Sequence, residues 1–178
     1  MKAYFIRHGQ TNYNLIRYCN NDPSRDVHLT DLWKQQAASL IPFFKWKVLD
    51  KVYTSNLPRA QETARISLSQ SIYTPEVEPR INDRITGFDG RSADEFWTAL
   101  WPDILNAKIP GCESFQDVKL RVHSFLDDLS KKKDHFKEIC AVTHTEIMKI
   151  ITGYYEWLSD MDTWNLQIEQ CKVLEIDI

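Results

Sequence analysis

The chain has 178 residues, 43% of them hydrophobic, and carries a net charge of −3. That size and composition predict one globular domain, residues 1–178, with a full apolar core. The acidic balance argues against a broad basic face for nucleic acid but leaves room for a small cationic pocket.

No apolar run approaches the ~18 residues of a membrane span, and the run that opens the chain is too short for a secretory leader. Four cysteines, Cys19, Cys112, Cys140 and Cys171, are scattered, with no CxxC pair and no metal-ligand spacing. The expectation is a cytoplasmic protein with reduced thiols, no bound metal and no membrane partner. Internal repeats and low-complexity segments are absent.

Residues 3–6 read as a first buried strand that ends in Arg7-His8-Gly9. Residues 15–28 are polar and irregular, which predicts a loop. Thr30 stands where an N-cap would start a helix over 31–44, with Leu32, Gln36 and Leu40 at helical spacing. Residues 51–54 form a short strand, and Ser55 to Ala60 a turn into a helix ending near Leu68, Pro58 being tolerated in its first turn. Residues 72–77 suggest a third strand, with Pro75 marking a sheet edge.

The stretch 79–111 breaks this alternation and predicts a lid-like excursion around a short aromatic helix. Ser114 and Asp117 resemble a capping box that opens a long helix to about Lys133. Residues 139–143 are a buried strand, 146–152 a helix, and 166–168 with 173–178 a closing hairpin. Strands alternating with helices imply an α/β domain, a mainly parallel central sheet flanked by helices in three layers.

Two strands end alike, in Arg7-His8-Gly9 and in Thr143-His144-Thr145, and a third leads to Arg59 at a helix start. In parallel α/β sheets, ligands sit beyond the carboxyl ends of the strands. Two histidines and two arginines at one such edge suit a phosphoryl group, because arginine contacts its oxygens bidentately. A single histidine at a strand end is ordinarily a surface polar group; His28, His123 and His135 are assigned surface or packing roles.

Five segments carry a family resemblance. Arg7-His8-Gly9-Gln10-Thr11 with Asn14 resembles the opening of the histidine phosphatase superfamily, phosphoglycerate mutase-like branch. Leu29-Thr30 with Gln36-Ala37 resembles its LTxxGxxQA segment, and residues 53–64 its second signature. Pro110-Gly-Cys-Glu-Ser114 resembles its PGGES element and Val142-Thr-His-Thr145 its VSHG element. The matches fall in order along residues 3 to about 150, which chance does not readily produce.

The resemblance implies the phosphoglycerate mutase-like fold and a phosphohistidine formed on His8. Arg7, Arg59 and His144 would hold the phosphoryl oxygens, and Asn14 would add a contact. Asp83 stands at the position of the family's general acid. Its segment is one residue short of the usual spacing, and aspartate is one methylene shorter than the usual glutamate. Glu146, two residues after His144, is the main rival for the acid, and Asp89 a weaker one. The resemblance implies no cofactor and no metal.

The mutases carry extra basic residues after the acid to hold a second phosphate; here 91–109 offers only Arg91 and Lys108. The expectation is a phosphatase acting on a small phosphorylated metabolite, most similar to the α-ribazole and broad-specificity phosphatases. Alternatives are mutase-type phosphoryl transfer and a phospho-ligand binding protein without turnover. Phe88, Phe96, Trp97 and Trp101 either shape an apolar pocket or form the core of the lid. Oligomer formation is compatible with the aromatic content and not specified by it.

Overall fold

The computed structural model describes residues 1–178. Five strands, β1 (Lys2–Arg7), β2 (Lys51–Thr54), β3 (Pro75–Val77), β4 (Glu138–Thr143) and β5 (Val173–Asp177), form one sheet in the order β3-β2-β4-β1-β5. β1, β4, β2 and β3 pair in parallel; β5 runs antiparallel along β1. The expected mainly parallel α/β sheet is therefore present.

Eight helices complete the chain: α1 (Asn12–Leu15), α2 (Asp31–Ser39), α3 (Ile41–Phe44), α4 (Pro58–Ser67), α5 (Ala93–Leu100), α6 (Phe115–Lys131), α7 (Thr145–Glu156) and α8 (Asp160–Asn165). Alternate side chains of each strand point to opposite faces of the sheet. Ala3, Phe5, Ile139 and Ala141 pack under α6 and α7, against Val122, Phe125, Met148 and Ile151. Tyr4, Ile6, Cys140 and Val142 face the other way, against Phe44, Ala60, Ala64 and Leu68. Two apolar layers thus clamp the central strands. No helix is long and apolar enough to cross a membrane.

Four expectations need correction. The predicted hairpin does not form: residues 166–168 are not a strand, and β5 closes the sheet against β1, with Ile178 N donating to Met1 O at 2.8 Å. The open edge of β1 offers a longer register than a three-residue segment. The helix over 31–44 breaks at Leu40 into α2 and α3, because Pro42 lacks an N–H to bond back and its ring crowds the Ala38 carbonyl one turn earlier. Thr30 holds the N-cap position of α2 without a side-chain cap bond. The strand at 72–77 shrinks to β3, at the edge that Pro75 marks; Ile72 projects fully into solvent.

The excursion 79–111 folds back over the carboxyl ends of the strands. Its backbone meets the early loop in bridges Tyr18 to Ser92 and Cys19 to Asp89. That early loop contains a helical turn, α1, closed by a capping box in which Thr11 Oγ1 accepts from Asn14 N and Asn14 Oδ1 accepts from Thr11 N.

Candidate active site

Strand register brings the two histidines together. Arg7 lies directly opposite Thr143 in the β1–β4 ladder, so His8 and His144 leave adjacent strands at the same level. His8 N donates to Thr143 O at 2.9 Å, extending the ladder by one bond. The imidazole rings stand 5.0 Å apart, and both are almost fully buried.

His8 has a defined hydrogen-bond pattern. Its Nδ1 lies 2.6 Å from Gly9 O, so Nδ1 carries the proton. Its Nε2 accepts from Arg59 Nε at 3.2 Å and therefore presents its lone pair. Burial first, then the positive charge of Arg59, holds the His8 pKa well below its ordinary value. His144 is lowered likewise, by burial and then by Arg59. Both imidazoles are neutral near pH 7.

Gly9 is explained by packing. A Cβ there would meet Leu29 Cδ2 and Trp33 Cβ, both at 3.3 Å. Gly9 N donates to Thr63 Oγ1 at 3.1 Å, which ties the loop to α4. The glycine thus lets the loop after β1 lie against α2.

Arg59 is the second residue of α4, behind Pro58, and is 5% exposed. Besides His8 it reaches Asn20 Oδ1 at 3.1 Å, Asn20 O at 3.2 Å and Asp83 Oδ2 at 2.8 Å. Arg7 donates through Nη1 to Ile168 O, while its buried Nε makes no bond within the protein. The 166–168 segment, unpaired as a strand, thus anchors a cation of the site.

The two candidate acids are held differently. Asp83 Oδ2 faces Arg59 and lies 3.6 Å from His144 Nδ1, and its side chain is 32% exposed. Glu146, in the first turn of α7, is gripped by Arg84: Arg84 Nε lies 3.1 and 3.0 Å from its two oxygens, and Nη2 donates to Oε1 as well. Burial, partly offset by Arg84, raises the Glu146 pKa. Asp89 accepts from Asn21 N and Asp22 N and so serves to close the early loop.

Arg7, His8, Asn14, Arg59, Asp83 and Glu146 line one cavity of about 220 Å³. His144 sits against His8 beside it, with neither ring nitrogen bonded to protein. Because Asn14 Oδ1 is occupied by the capping box, its amide nitrogen is the group left to donate. His144 is also the N-cap of α7, whose Thr145 and Glu146 line the cavity, so the positive end of that helix adds to its potential. Phe96 and Trp97 of α5 wall the opposite side; Phe88 packs on Phe96 at 5.5 Å, and Trp101 is mostly exposed.

Arg84 and Arg121 were not singled out in the sequence. Arg121 of α6 pairs with Glu113 at 2.8 Å and donates to Arg80 O at 2.7 Å and Asp83 O at 3.2 Å. Glu113 in turn accepts from Ile85 N at 2.9 Å. The pair clamps the backbone that carries Asp83. The only signal for Arg121 was its place about two turns after the Ser114 cap.

The model of the histidine phosphatase superfamily (branch 1) matches residues 3–178, and the chain belongs to that superfamily. It is 27% identical over 187 residues to an adenosylcobalamin/alpha-ribazole phosphatase of Escherichia coli, covering 100% of this chain and 90% of that one. It is 27% identical over 206 residues to a 2,3-bisphosphoglycerate-dependent phosphoglycerate mutase 2 of Latilactobacillus sakei, covering 94% and 89% respectively. The solved alpha-ribazole phosphatase of Shigella flexneri superposes with a TM-score of 0.88 at 25% identity, over 100% of this chain and 91% of that one.

Proposed function

We propose that the protein hydrolyses small phosphate monoesters through a phosphohistidine on His8. One observation carries the reading: a buried, neutral His8 whose Nδ1 proton is held by Gly9 O, which leaves Nε2 unprotonated, its lone pair shared with Arg59 at the wall of a cation-lined cavity and released to phosphorus when Arg59 turns to the phosphoryl oxygens. An imidazole in that state is a competent nucleophile for phosphorus. Membership of the superfamily and phosphatase-named relatives support the same reading.

In the first half-reaction His8 Nε2 bonds to phosphorus as the ester P–O bond breaks. Arg7, Arg59, the Asn14 amide and the α7 N-terminus hold the phosphoryl oxygens while charge redistributes. Protonation of the departing alkoxide falls to Asp83, the more open of the two carboxylates and the one beside the histidines. An incoming phosphate dianion competes with Asp83 for Arg59 and places a like charge next to it. In the second half-reaction Asp83 takes a proton from water as the water oxygen attacks phosphorus and the P–N bond breaks. Phosphate leaves and His8 returns neutral.

Four free thiols, two of them buried, support the expected cytoplasmic setting. The test is His8→Ala. It should abolish turnover of p-nitrophenyl phosphate, and wild-type enzyme quenched during turnover should carry an acid-labile phosphoryl group that the variant lacks. Wild-type activity in His8→Ala would refute the proposal.

A further inference from the structure

The cavity is charged in a way that limits the other half of the substrate. Three arginines, Arg7, Arg59 and Arg84, and two carboxylates, Asp83 and Glu146, line it. Arg84 is 2% exposed and spends Nε and Nη2 on Glu146. The rings of Phe96, Trp97 and Trp164 surround its guanidinium, with centroids 6.0, 5.8 and 5.7 Å away. Caged on those sides and forked onto a carboxylate, Arg84 has little freedom to swing toward a ligand. Lys149 of α7 is committed elsewhere, donating to Trp164 O at 2.6 Å.

Once Asp83 holds its proton, Arg7 and Arg59 supply two positive charges, which match one phosphate dianion. The Arg84–Glu146 pair is then neutral as a unit. A second anionic group on the leaving alcohol would find no uncommitted cation in the lining and would lie near the Glu146 carboxylate.

We propose that the Arg84–Glu146 pair is a specificity device that selects phosphate monoesters of uncharged alcohols and rejects those bearing a second carboxylate or phosphate. The inference rests on the phosphatase reading and adds the class of leaving group. Arg84 Nη1 is buried and forms no bond within the protein, so the guanidinium turns no donor outward to an anion. Phe96 and Trp97 offer apolar faces beside it. Glu146 acts here through Arg84, as a positioning residue that keeps the guanidinium charge spent.

Glycerol 3-phosphate and 3-phosphoglycerate test this directly, since they differ only in a hydroxymethyl group against a carboxylate. Wild-type kcat/KM is expected to favour glycerol 3-phosphate by about tenfold or more. Glu146→Gln keeps the shape, removes the negative charge and frees Arg84. It should raise kcat/KM on 3-phosphoglycerate relative to glycerol 3-phosphate and shrink the ratio about tenfold. The double variant Arg84→Met/Glu146→Leu replaces a buried ion pair by apolar side chains, a change that folded proteins often accept; it should lose most of the preference. A wild-type ratio near one, a preference for 3-phosphoglycerate, or a ratio unchanged in the variants would overturn the inference. Failure to hydrolyse either ester and p-nitrophenyl phosphate as well would overturn the phosphatase reading, and this inference with it.

Discussion

At the scale of single residues, the site is built from groups whose protonation is set by immediate neighbours. His8 is neutral because it is buried among cations, and its tautomer follows from one carbonyl, Gly9 O. Asp83 differs from Glu146 in commitment more than in distance. Glu146 has both oxygens engaged by a guanidinium, whereas Asp83 gives one oxygen to Arg59 and one to the Arg84 backbone N–H and keeps contact with solvent. Loss of the acid should matter in proportion to the basicity of the leaving group. Asp83→Asn is expected to slow alkyl phosphates by about 100-fold or more and p-nitrophenyl phosphate far less, since a nitrophenolate leaves with little help. Equal losses on both substrates, read as kcat, would remove Asp83 from that role.

At the scale of elements, precision comes from ladders and clamps. The β1–β4 register puts His8 beside His144, and a one-residue slip would turn every side chain of β1 to the opposite face. Asp83, the acid we propose, lies on irregular backbone between the 3-10 turn Pro79–Ile81 and α5, so a helix has to hold it. Arg121 does so from α6, through the carbonyls of Arg80 and Asp83 and through Glu113. Arg121→Met is expected to lower kcat on alkyl phosphates about tenfold while leaving KM for p-nitrophenyl phosphate nearly unchanged, because a misplaced acid is a failure of orientation. A uniform loss across substrates would mark Arg121 as a stabilising residue only.

At the scale of the whole molecule, the central strands β1, β4 and β2 end together beneath one cavity, and helices cover both faces of the sheet. Burying His8 and His144 in that setting has a cost that depends on pH. Each has an ordinary pKa of 6.5 that folding lowers well below that value. Below pH 6.5 the unfolded chain therefore binds more protons than the folded one, so stability falls as pH drops from 6.5 toward the folded pKa values. Denaturation midpoints in urea should decline across that interval, and less so in a variant with His144 replaced by Gln. Ring resonances of both histidines should show no titration between pH 6 and 8. A midpoint near 6.5 for either would contradict the neutral, buried pair.

The chain determined by itself what is local. Strands ending in Arg7-His8-Gly9 and Thr143-His144, the helix start at Arg59 and the capping box at Ser114 depend on residue type and short spacing, and all are legible without coordinates. Tertiary structure alone decided whatever depends on pairing between distant segments. The 166–173 region reads equally well as a hairpin, and the choice of β1 as the partner of β5 lies in the sheet edge that was open. Asp83 and Glu146 are rival carboxylates in sequence terms, one 61 residues before His144 and one two after it; only the fold gives the first to Arg59 and the second to Arg84. The tight fit of Gly9 against Leu29 and Trp33 likewise depends on distant side chains. The physical reason is the same throughout: hydrogen-bond patterns and periodicity act over a few residues, whereas ion pairing and burial depend on which distant side chains the core brings within a few ångströms.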